Sequence, residues 1–237
     1  MINSGSSRNP VRTNLPVRNF RLRIFNLIRS GLGGNREKGL IRALSIAIKS
    51  TGLRLPTTLD FGTGSMLVVS ELHSSGVISS YCGLDTYAAE DDAFKESDFY
   101  KRYVQLNHLE DVLSFTGYDI AIASDTLHHL DWIEIPRALE YLCSIAKFVI
   151  VKDMFEYGQI TRQVLRLSDW FGNSPFEVNV PSRYLTPQHW DEILQKLNLV
   201  EIKRWQNVRI HNGLFGVILP RRCNFVSLIC SKSNHVS

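Results

Sequence analysis

One short stretch of this chain combines an acid with two closely spaced glycines at the end of a strand-like segment. The segment covers residues 57–61, and the sequence at its end reads Asp60, Phe61, Gly62, Thr63 and Gly64. An apolar run over residues 66–72 follows, so the pattern predicts a strand, a glycine turn and a helix. In an open α/β sheet this order creates a ligand crevice at the carboxyl end of the strand, where glycines let a ligand approach the backbone.

The charge of Asp60 indicates which class of ligand this crevice would accept. A pyrophosphate needs bare backbone N–H groups at a helix N-terminus, so a carboxylate two residues before the first glycine is unfavourable for it. The dinucleotide pattern G-x-G-x-x-G also fails, because its third glycine would fall at Leu67. A ligand with ammonium and sulfonium groups, such as S-adenosylmethionine (SAM), would be stabilised by the acid. The motif therefore favours SAM over NAD, with a purely structural turn as the alternative.

Several other polar residues follow strand-like apolar runs and could reach the same crevice. Asp85 ends the run over residues 77–84, and it lies 25 residues after Asp60, near the spacing at which an acid on a second strand binds ribose hydroxyls. The residues placed similarly after later runs are Asn107, His108, Ser124, His128, His129, Lys152 and Asp153. An imidazole with a pKa of about 6.5 suits His128 or His129 to act as a general base, although either could instead pack or cap the site.

The composition indicates one globular domain with an appendage. Of the 237 residues, 44% are apolar, and no apolar run approaches the roughly 20 residues needed to span a bilayer. Cys82, Cys143, Cys223 and Cys230 show no metal-ligand spacing and are expected to be reduced thiols, which predicts a cytoplasmic protein without a metal site. The acid-free stretch over residues 1–36 keeps an organellar leader as an alternative.

The positive charge is confined to the N-terminal part of the chain. Residues 1–54 contain nine Arg and two Lys against Glu37 alone, which gives +10, whereas the rest of the chain carries −6. We therefore expect no nucleic-acid partner for the body of the protein. Residues 17–32 and 38–49 predict two amphipathic helices. The alternatives for this extension are a packing helix, a lid over the crevice that lines a substrate pocket, and a basic helix that contacts a membrane or another protein through residues 17–32.

The remaining pattern predicts alternating strands and helices with one interruption. Further strands are expected over residues 103–106, 118–123 and 148–151, helices over 135–147 and from 187, and a final antiparallel pair over 200–208 and 224–230. An aromatic-rich insertion over about 154–185, with a helix over 159–170, follows the fifth strand on the crevice side. This insertion is expected either to cover the core or to form an apolar substrate pocket, in which Tyr157 would position the acceptor.

This ordered set of motifs resembles the class I SAM-dependent methyltransferases, particularly the small-molecule branch with methyltransferase type 11 or 12 domains. The resemblance covers about residues 55–232 and rests on the segments 59–64, 83–85 and 118–130. It implies an α/β fold with a Rossmann-like seven-stranded sheet in the order 3-2-1-4-5-7-6, the last strand antiparallel, and helices on both faces. The chain would then divide into a basic N-terminal helical extension, 1–54, and a SAM-binding methyltransferase domain, 55–237.

The resemblance also implies which residues bind SAM. They are Asp60, Gly62, Gly64 and Ser124 at the methionine end, with Phe61 and Thr63 between them, Asp85 at the ribose, and Asn107 with His108 at the adenine. Met66 departs from the family, which usually has glycine or a small residue at this position. A methionine here is expected to narrow the cofactor site or to tilt the following helix.

The function implied by the resemblance is methyl transfer from SAM to a small, mainly apolar or lipid-like acceptor. O-methylation is favoured, because His128 or His129 could take a hydroxyl proton near Lys152 and Asp153. The lack of an Asp-Pro-Pro-Tyr-like element after the fourth strand counts against amino-methylation of nucleic-acid bases. The alternatives are a non-catalytic SAM-fold protein that docks through its basic N-terminal helix, and a macromolecular methyltransferase that grips RNA or an acidic protein with the +10 segment.

Overall fold

The structure, a computed structural model, describes residues 36–86, 102–173, 180–211 and 221–232, so the helix expected over 17–32 lies outside it. The helices are α1 (Arg36–Lys49), α2 (Leu67–Ser74), α3 (Glu134–Ile145), α4 (Gln159–Asn173) and α5 (Pro187–Lys196). The strands are β1 (Thr57–Phe61), β2 (Ser80–Asp85), β3 (Tyr103–Gln105), β4 (Tyr118–Ser124), β5 (Ala146–Met154), β6 (Leu199–Gln206) and β7 (Asn224–Ser231). None of the helices described in the chain has the length and apolarity to cross a membrane.

The strands form one seven-stranded sheet in the order β3-β2-β1-β4-β5-β7-β6. The first five strands pair in parallel, whereas β7 is antiparallel to both β5 and β6. This arrangement confirms the predicted strand order and the predicted antiparallel pair. From β1 the chain builds the sheet towards β2 and β3 on one side and then towards β4 on the other. In open α/β sheets the ligand crevice lies at the point where the order reverses, which here is between β1 and β4.

The central strand β4 shows why helices cover both faces of the sheet. Successive side chains of a strand point to opposite faces. Ala121 and Ala123 therefore join the apolar cluster that contains α3 and α5, whereas Ile120 and Ile122 join the cluster that contains α1 and α2. All four side chains are buried, as a strand covered on both faces requires.

Helix α1 brings part of the predicted N-terminal extension into the core. Its Leu44 and Ile48 are 0% and 1% exposed. A Cβ atom built on Gly39 would lie 2.2 Å from the carbonyl oxygen of Ile210, so the helix and the segment after β6 pack backbone to backbone. The helix thus belongs to the packed body, while the division of the chain at residue 54 stays a prediction.

Helix α5 begins where the sequence predicts, after the insertion that contains α4. The hydroxyl of Thr186 accepts a hydrogen bond from the His189 N–H at 3.1 Å, and Pro187 occupies the first turn. The side-chain cap satisfies one N-terminal N–H that the helix cannot bond internally, and proline in the first turn has no N–H to be satisfied. The indole of Trp190 then packs in the core and is 0% exposed.

Met66 enters the core instead of the ligand crevice. It precedes α2 with a left-handed backbone, φ 57°, and its side chain is 1% exposed. The side chain lies in the apolar cluster with Val69 and Leu72, and its terminal methyl reaches within 2.7 Å of where a Cβ on Gly83 would lie. A side chain that lined an open crevice would keep accessible surface. The methionine therefore fills space beneath β2 and does not narrow the crevice, at the expense of a strained backbone.

This arrangement predicts an unusual order of stability for two substitutions at Met66. Met66→Gly and Met66→Ala should both lower the free energy of unfolding, by about 2–5 kcal/mol for the alanine variant, because the buried side chain is lost. The glycine variant should be the more stable of the two by about 1 kcal/mol, since glycine adopts a positive φ without strain. Urea unfolding of both variants measures the difference, and an alanine variant more stable than the glycine variant would contradict the left-handed backbone at this position.

Candidate functional site

The glycine turn after β1 is fixed between the ends of β2 and β4. The N–H groups of Gly62 and Thr63 donate hydrogen bonds to the carbonyl oxygen of Leu84, at 2.8 and 3.1 Å. On the other side, the Thr126 hydroxyl donates to the carbonyl oxygen of Phe61 at 3.1 Å. The turn therefore lies at the carboxyl edge of the sheet, with its backbone held from both sides, where the strand order places the crevice.

The two glycines of this turn are required for different reasons. Gly62 has φ +75°, and a Cβ there would come within 2.3 Å of the Thr126 side chain. Gly64 has φ +53°, but nothing lies within 4 Å of its missing Cβ. Gly62 thus allows the loops after β1 and β4 to touch, whereas Gly64 leaves open space beside the backbone that a ligand could use.

Two acids converge on this turn, as the sequence predicts. Asp60 accepts a hydrogen bond from the Thr63 hydroxyl at 2.6 Å, and Asp85 accepts one from the Gly64 N–H at 2.8 Å. Burial raises the pKa of Asp60 to about 6, with a further increase from the Asp85 charge, against the opposing effect of the Thr63 hydrogen bond. Asp60 is therefore a desolvated carboxylate that a cationic ligand would stabilise.

Ser124 contributes a polar atom without a protein partner. It ends β4 next to Lys152 of β5, and its hydroxyl oxygen is buried with no hydrogen bond to any described residue. A buried hydroxyl normally has a partner, and leaving it without one costs about 1–3 kcal/mol. Together with Asp60 and the space beside Gly64, this hydroxyl fits the polar methionine end of SAM, which needs an acid for its ammonium group and donors for its carboxylate.

Asn107 and His108 lie just past β3, as expected, and both are exposed. Their backbone N–H groups each donate to the Asp111 carboxylate at 2.9 Å, which caps the short 3-10 helix over Leu109–Ser114. These hydrogen bonds fix the backbone of the two residues and leave their side chains at the surface. Their assignment to the adenine stays a prediction.

Asp125 follows β4 directly and is held between two cations. It accepts hydrogen bonds from the Arg36 guanidinium at 2.6 Å and from the Lys152 ammonium, and its backbone is left-handed with φ 53°. Burial alone would raise the pKa of Asp125, but the charges of Lys152 and Arg36 hold it well below its usual range. Arg36 thereby fastens the start of α1 to the crevice edge, and Lys152, predicted to bind substrate, is 1% exposed and already paired.

His128 is buried between two carboxylates. Its Nδ1 lies 2.6 Å from Asp153 and its Nε2 lies 3.5 Å from Asp169. Burial by itself lowers the pKa of His128, yet the charges of Asp153, Asp169 and Asp125 raise it to about 9. At neutral pH the ring is thus protonated and both nitrogens face acids, so it has no lone pair with which to take a proton. The geometry does not favour the predicted role of His128 as a base, or of Asp153 as a substrate contact.

His129 is the histidine that reaches the surface. It is exposed, and its ring centroid lies 4.2 Å from that of His128. An accessible imidazole just past β4 can meet an acceptor hydroxyl, which the buried neighbour cannot do. The role of general base stays a prediction, and of the two histidines His129 is the one that solvent reaches.

The charges of this network balance within the described part of the chain. Asp125, Asp153 and Asp169 face Arg36, Lys152 and His128, and the Tyr184 hydroxyl donates to Asp169 at 2.5 Å. The ligand atoms of Asp125, His128 and Asp153 lie within 4.8 Å of one another, a spacing that could hold a metal ion. Because cations already neutralise these carboxylates, we assign no metal to them.

Sequence reasoning missed three members of the network. Asp125 lies directly after β4, within the recognised segment 118–130, and this position at the end of a strand could have identified it as a candidate. Arg36 and Asp169 gave no comparable signal, because they lie 89 and 44 residues from Asp125 along the chain. Pairing over such distances depends on how α1 and α4 pack against the edge of the sheet.

The insertion after β5 presents apolar surface near Tyr157. Tyr157 is 43% exposed, and its hydroxyl donates to the Arg222 carbonyl oxygen at 3.1 Å. Along α4, Ile160, Leu167 and Trp170 are 83%, 54% and 52% exposed. This supplies the apolar character that the sequence predicts for the insertion, although the role of Tyr157 towards an acceptor stays a prediction.

This chain has the fold of the class I SAM-dependent methyltransferases: it shows their strand order, with a glycine turn and its acid at the point where that order reverses. Solved structures of such enzymes have a similar fold. A TehB-like SAM-dependent methyltransferase from Corynebacterium glutamicum superposes with a TM-score of 0.57 at 16% identity, over 92% of this chain and 100% of that one. Magnesium protoporphyrin IX methyltransferase from Synechocystis, with bound S-adenosylhomocysteine (SAH), superposes with a TM-score of 0.53 at 14% identity, over 94% of this chain and 90% of that one. The 1,6-didemethyltoxoflavin N1-methyltransferase from Burkholderia thailandensis superposes with a TM-score of 0.55 at 12% identity, over 90% of this chain and 86% of that one. No protein-family model and no curated protein matches the sequence.

Proposed function

We propose that this protein is a SAM-dependent methyltransferase that acts on a small, mainly apolar or lipid-like acceptor. The observation that carries the proposal is the turn at the switch point, which combines the buried carboxylate of Asp60 with open space beside Gly64. The proposed body of the enzyme is the domain from residue 55 onward, with residues 1–54 as a basic extension. The cytoplasm is the proposed compartment, in keeping with four free cysteines.

Methyl transfer requires little covalent chemistry from the protein itself. When bound, SAM supplies a methyl carbon already activated by its sulfonium sulfur. Asp60 and Ser124 would hold the methionine end, and Asp85 would leave the Gly64 N–H to bind the ribose hydroxyls. Their contribution is to align the methyl carbon with the acceptor, and alignment alone can supply much of the acceleration.

The acceptor is proposed from the surroundings of the crevice. The exposed apolar residues of α4 would contact an apolar or lipid-like molecule. O-methylation is proposed because His129 could take the proton that a hydroxyl acceptor releases as its oxygen bonds to the methyl carbon. The toxoflavin-precursor and protoporphyrin enzymes named above act on small molecules, which supports this class of acceptor without identifying it.

The first test is calorimetric binding of SAH to the wild-type protein and to Asp60→Asn. The wild type should bind in the micromolar range, and the variant should lose binding, because the amide keeps the shape of the side chain but cannot pair with the ligand ammonium. Since burial raises the pKa of Asp60 to about 6, wild-type binding should also weaken by about tenfold between pH 7 and pH 5.

The control is Asp191→Asn, which neutralises a 62% exposed carboxylate on α5 and should bind SAH as the wild type does. If the wild type binds no SAH, the proposed cofactor is wrong. Equal binding by wild type and Asp60→Asn would instead remove Asp60 from the site.

The second test is turnover of radiolabelled SAM with fractions of a metabolite and lipid extract. The wild type should label an apolar fraction, and His129→Ala should reduce the rate by about 10²–10⁴-fold, the usual contribution of a general base. SAH binding by His129→Ala should stay unchanged, which separates loss of the base from loss of the fold. A protein that binds SAH but labels no fraction would favour the non-catalytic alternative.

A further inference from the structure

A basic groove lies along α1, and none of its lining residues belongs to the charge network of Asp125, His128 and Asp153. It is an open cavity of about 500 Å³ between α1 and the segment after β6. Lys38 and Arg42 line it from the helix, and Arg209 lines it from the opposite side. The close contact between Gly39 and the carbonyl oxygen of Ile210 sets the distance between these two walls. The groove is therefore a fixed feature of the packed body.

The three cations of this groove have no acidic partner in the part of the chain that the structure describes. All three are exposed, and none forms an ion pair with a described carboxylate. The segments that adjoin the groove in the sequence, residues 1–35 and 212–220, contain no Asp or Glu. Such a concentration of one charge attracts a polyanionic partner.

The groove combines its charge with apolar surface. Ile46 lines it and is 46% exposed, and it lies between Arg42 and Lys49 on the solvent side of α1. Its other wall includes Val208. Among the described residues that line the groove none is aromatic, so these residues offer no platform on which nucleic-acid bases could stack. Basic and aliphatic side chains on one helical face are typical of contact with an anionic membrane surface.

We propose that this groove docks the protein on a membrane surface rich in anionic phospholipid. Lys38, Arg42 and Arg209 bind the headgroup phosphates, and Ile46 enters the boundary between headgroups and acyl chains. Each basic residue near such a surface contributes to binding until salt screens it. The inference does not depend on the proposed methyltransferase activity, since the groove shares no residue with the crevice.

The experiment is flotation of the full chain with vesicles of phosphatidylcholine, with and without phosphatidylglycerol. We expect binding to the anionic vesicles alone, and a decrease as salt is raised. The triple variant K38Q/R42Q/R209Q should bind about 100-fold more weakly. The matched control R137Q/R166Q/K196Q removes the same number of exposed positive charges elsewhere and should bind as the wild type does.

The variant Ile46→Gln distinguishes a membrane from other polyanionic partners. It should weaken vesicle binding by roughly tenfold, because the buried apolar contact is lost, while an RNA partner would be indifferent to it. Equal binding to neutral vesicles, or equal loss in the matched control, would overturn the proposal. Displacement of the protein from vesicles by millimolar inorganic phosphate would also overturn it, because that result would indicate a small-anion site. Tight binding of polyuridylate without vesicle binding would overturn it as well, because that result would indicate a nucleic-acid partner.

Discussion

Replacing Gly62 with alanine is expected to eliminate SAH binding and to lower the free energy of unfolding by about 2–5 kcal/mol. Part of the loss comes from the backbone, because alanine at φ +75° is strained. The larger part comes from crowding, since the new Cβ would lie 2.3 Å from the Thr126 side chain. The loops after β1 and β4 would have to separate, and the crevice they form would lose its shape.

Gly64→Ala provides the control for this prediction. Gly64 also has a positive φ, but its Cβ would meet nothing within 4 Å, so that variant should lose only about 1 kcal/mol of stability. Urea unfolding of both variants without ligand isolates the crowding at Gly62. Adding Thr126→Ala to Gly62→Ala should restore part of the stability, since the two nearest atoms are removed. Equal losses in the two single variants would show that the Thr126 side chain simply turns away.

Replacing Asp153 with alanine is expected to lower the free energy of unfolding by about 3–5 kcal/mol. Asp153 is 0% exposed, and it accepts hydrogen bonds from the His128 ring at 2.6 Å and from the Met154 N–H at 2.7 Å. Without it, the buried imidazolium of His128 keeps the more distant Asp169 and the charge of Asp125. Asp191→Ala removes a largely exposed partner of Arg204 and should have little effect. Similar losses in the two variants would contradict the buried ion pair.

The ion pair of His128 and Asp153 also predicts how the stability of the protein depends on pH. The pKa of His128 is raised to about 9 in the folded protein, so its contribution is fully present below about pH 6.5 and is lost as the pH rises through about 9. The wild type should therefore lose about 3 kcal/mol of stability across this window relative to His128→Gln. His211, whose pKa burial lowers to about 4, acts below the window and leaves the comparison unaffected. Parallel pH profiles would show that His128 is neutral in the folded state.

The positions of the residues proposed to bind the cofactor could be predicted because they depend on local chain geometry. Asp60 and the glycines form one continuous turn, and Asp85 ends the next strand of a right-handed parallel unit, so their meeting follows from chain order. The burial of the Met66 side chain in the core could not be read from the sequence. Its backbone is left-handed, with φ 57°, a conformation that no pattern of residue types specifies.

The sequence by itself determined the order of strands and helices, the glycine turn with its acid and the concentration of positive charge before residue 54. These follow from periodicity, turn chemistry and composition, which are local properties of a chain. The tertiary structure decided that His128 is a buried cation while His129 is exposed, and that Arg36 reaches Asp125 across 89 residues. Neighbouring residues of the same type can differ completely in burial and charge. What separates them is the packing of distant elements, which local pattern does not contain.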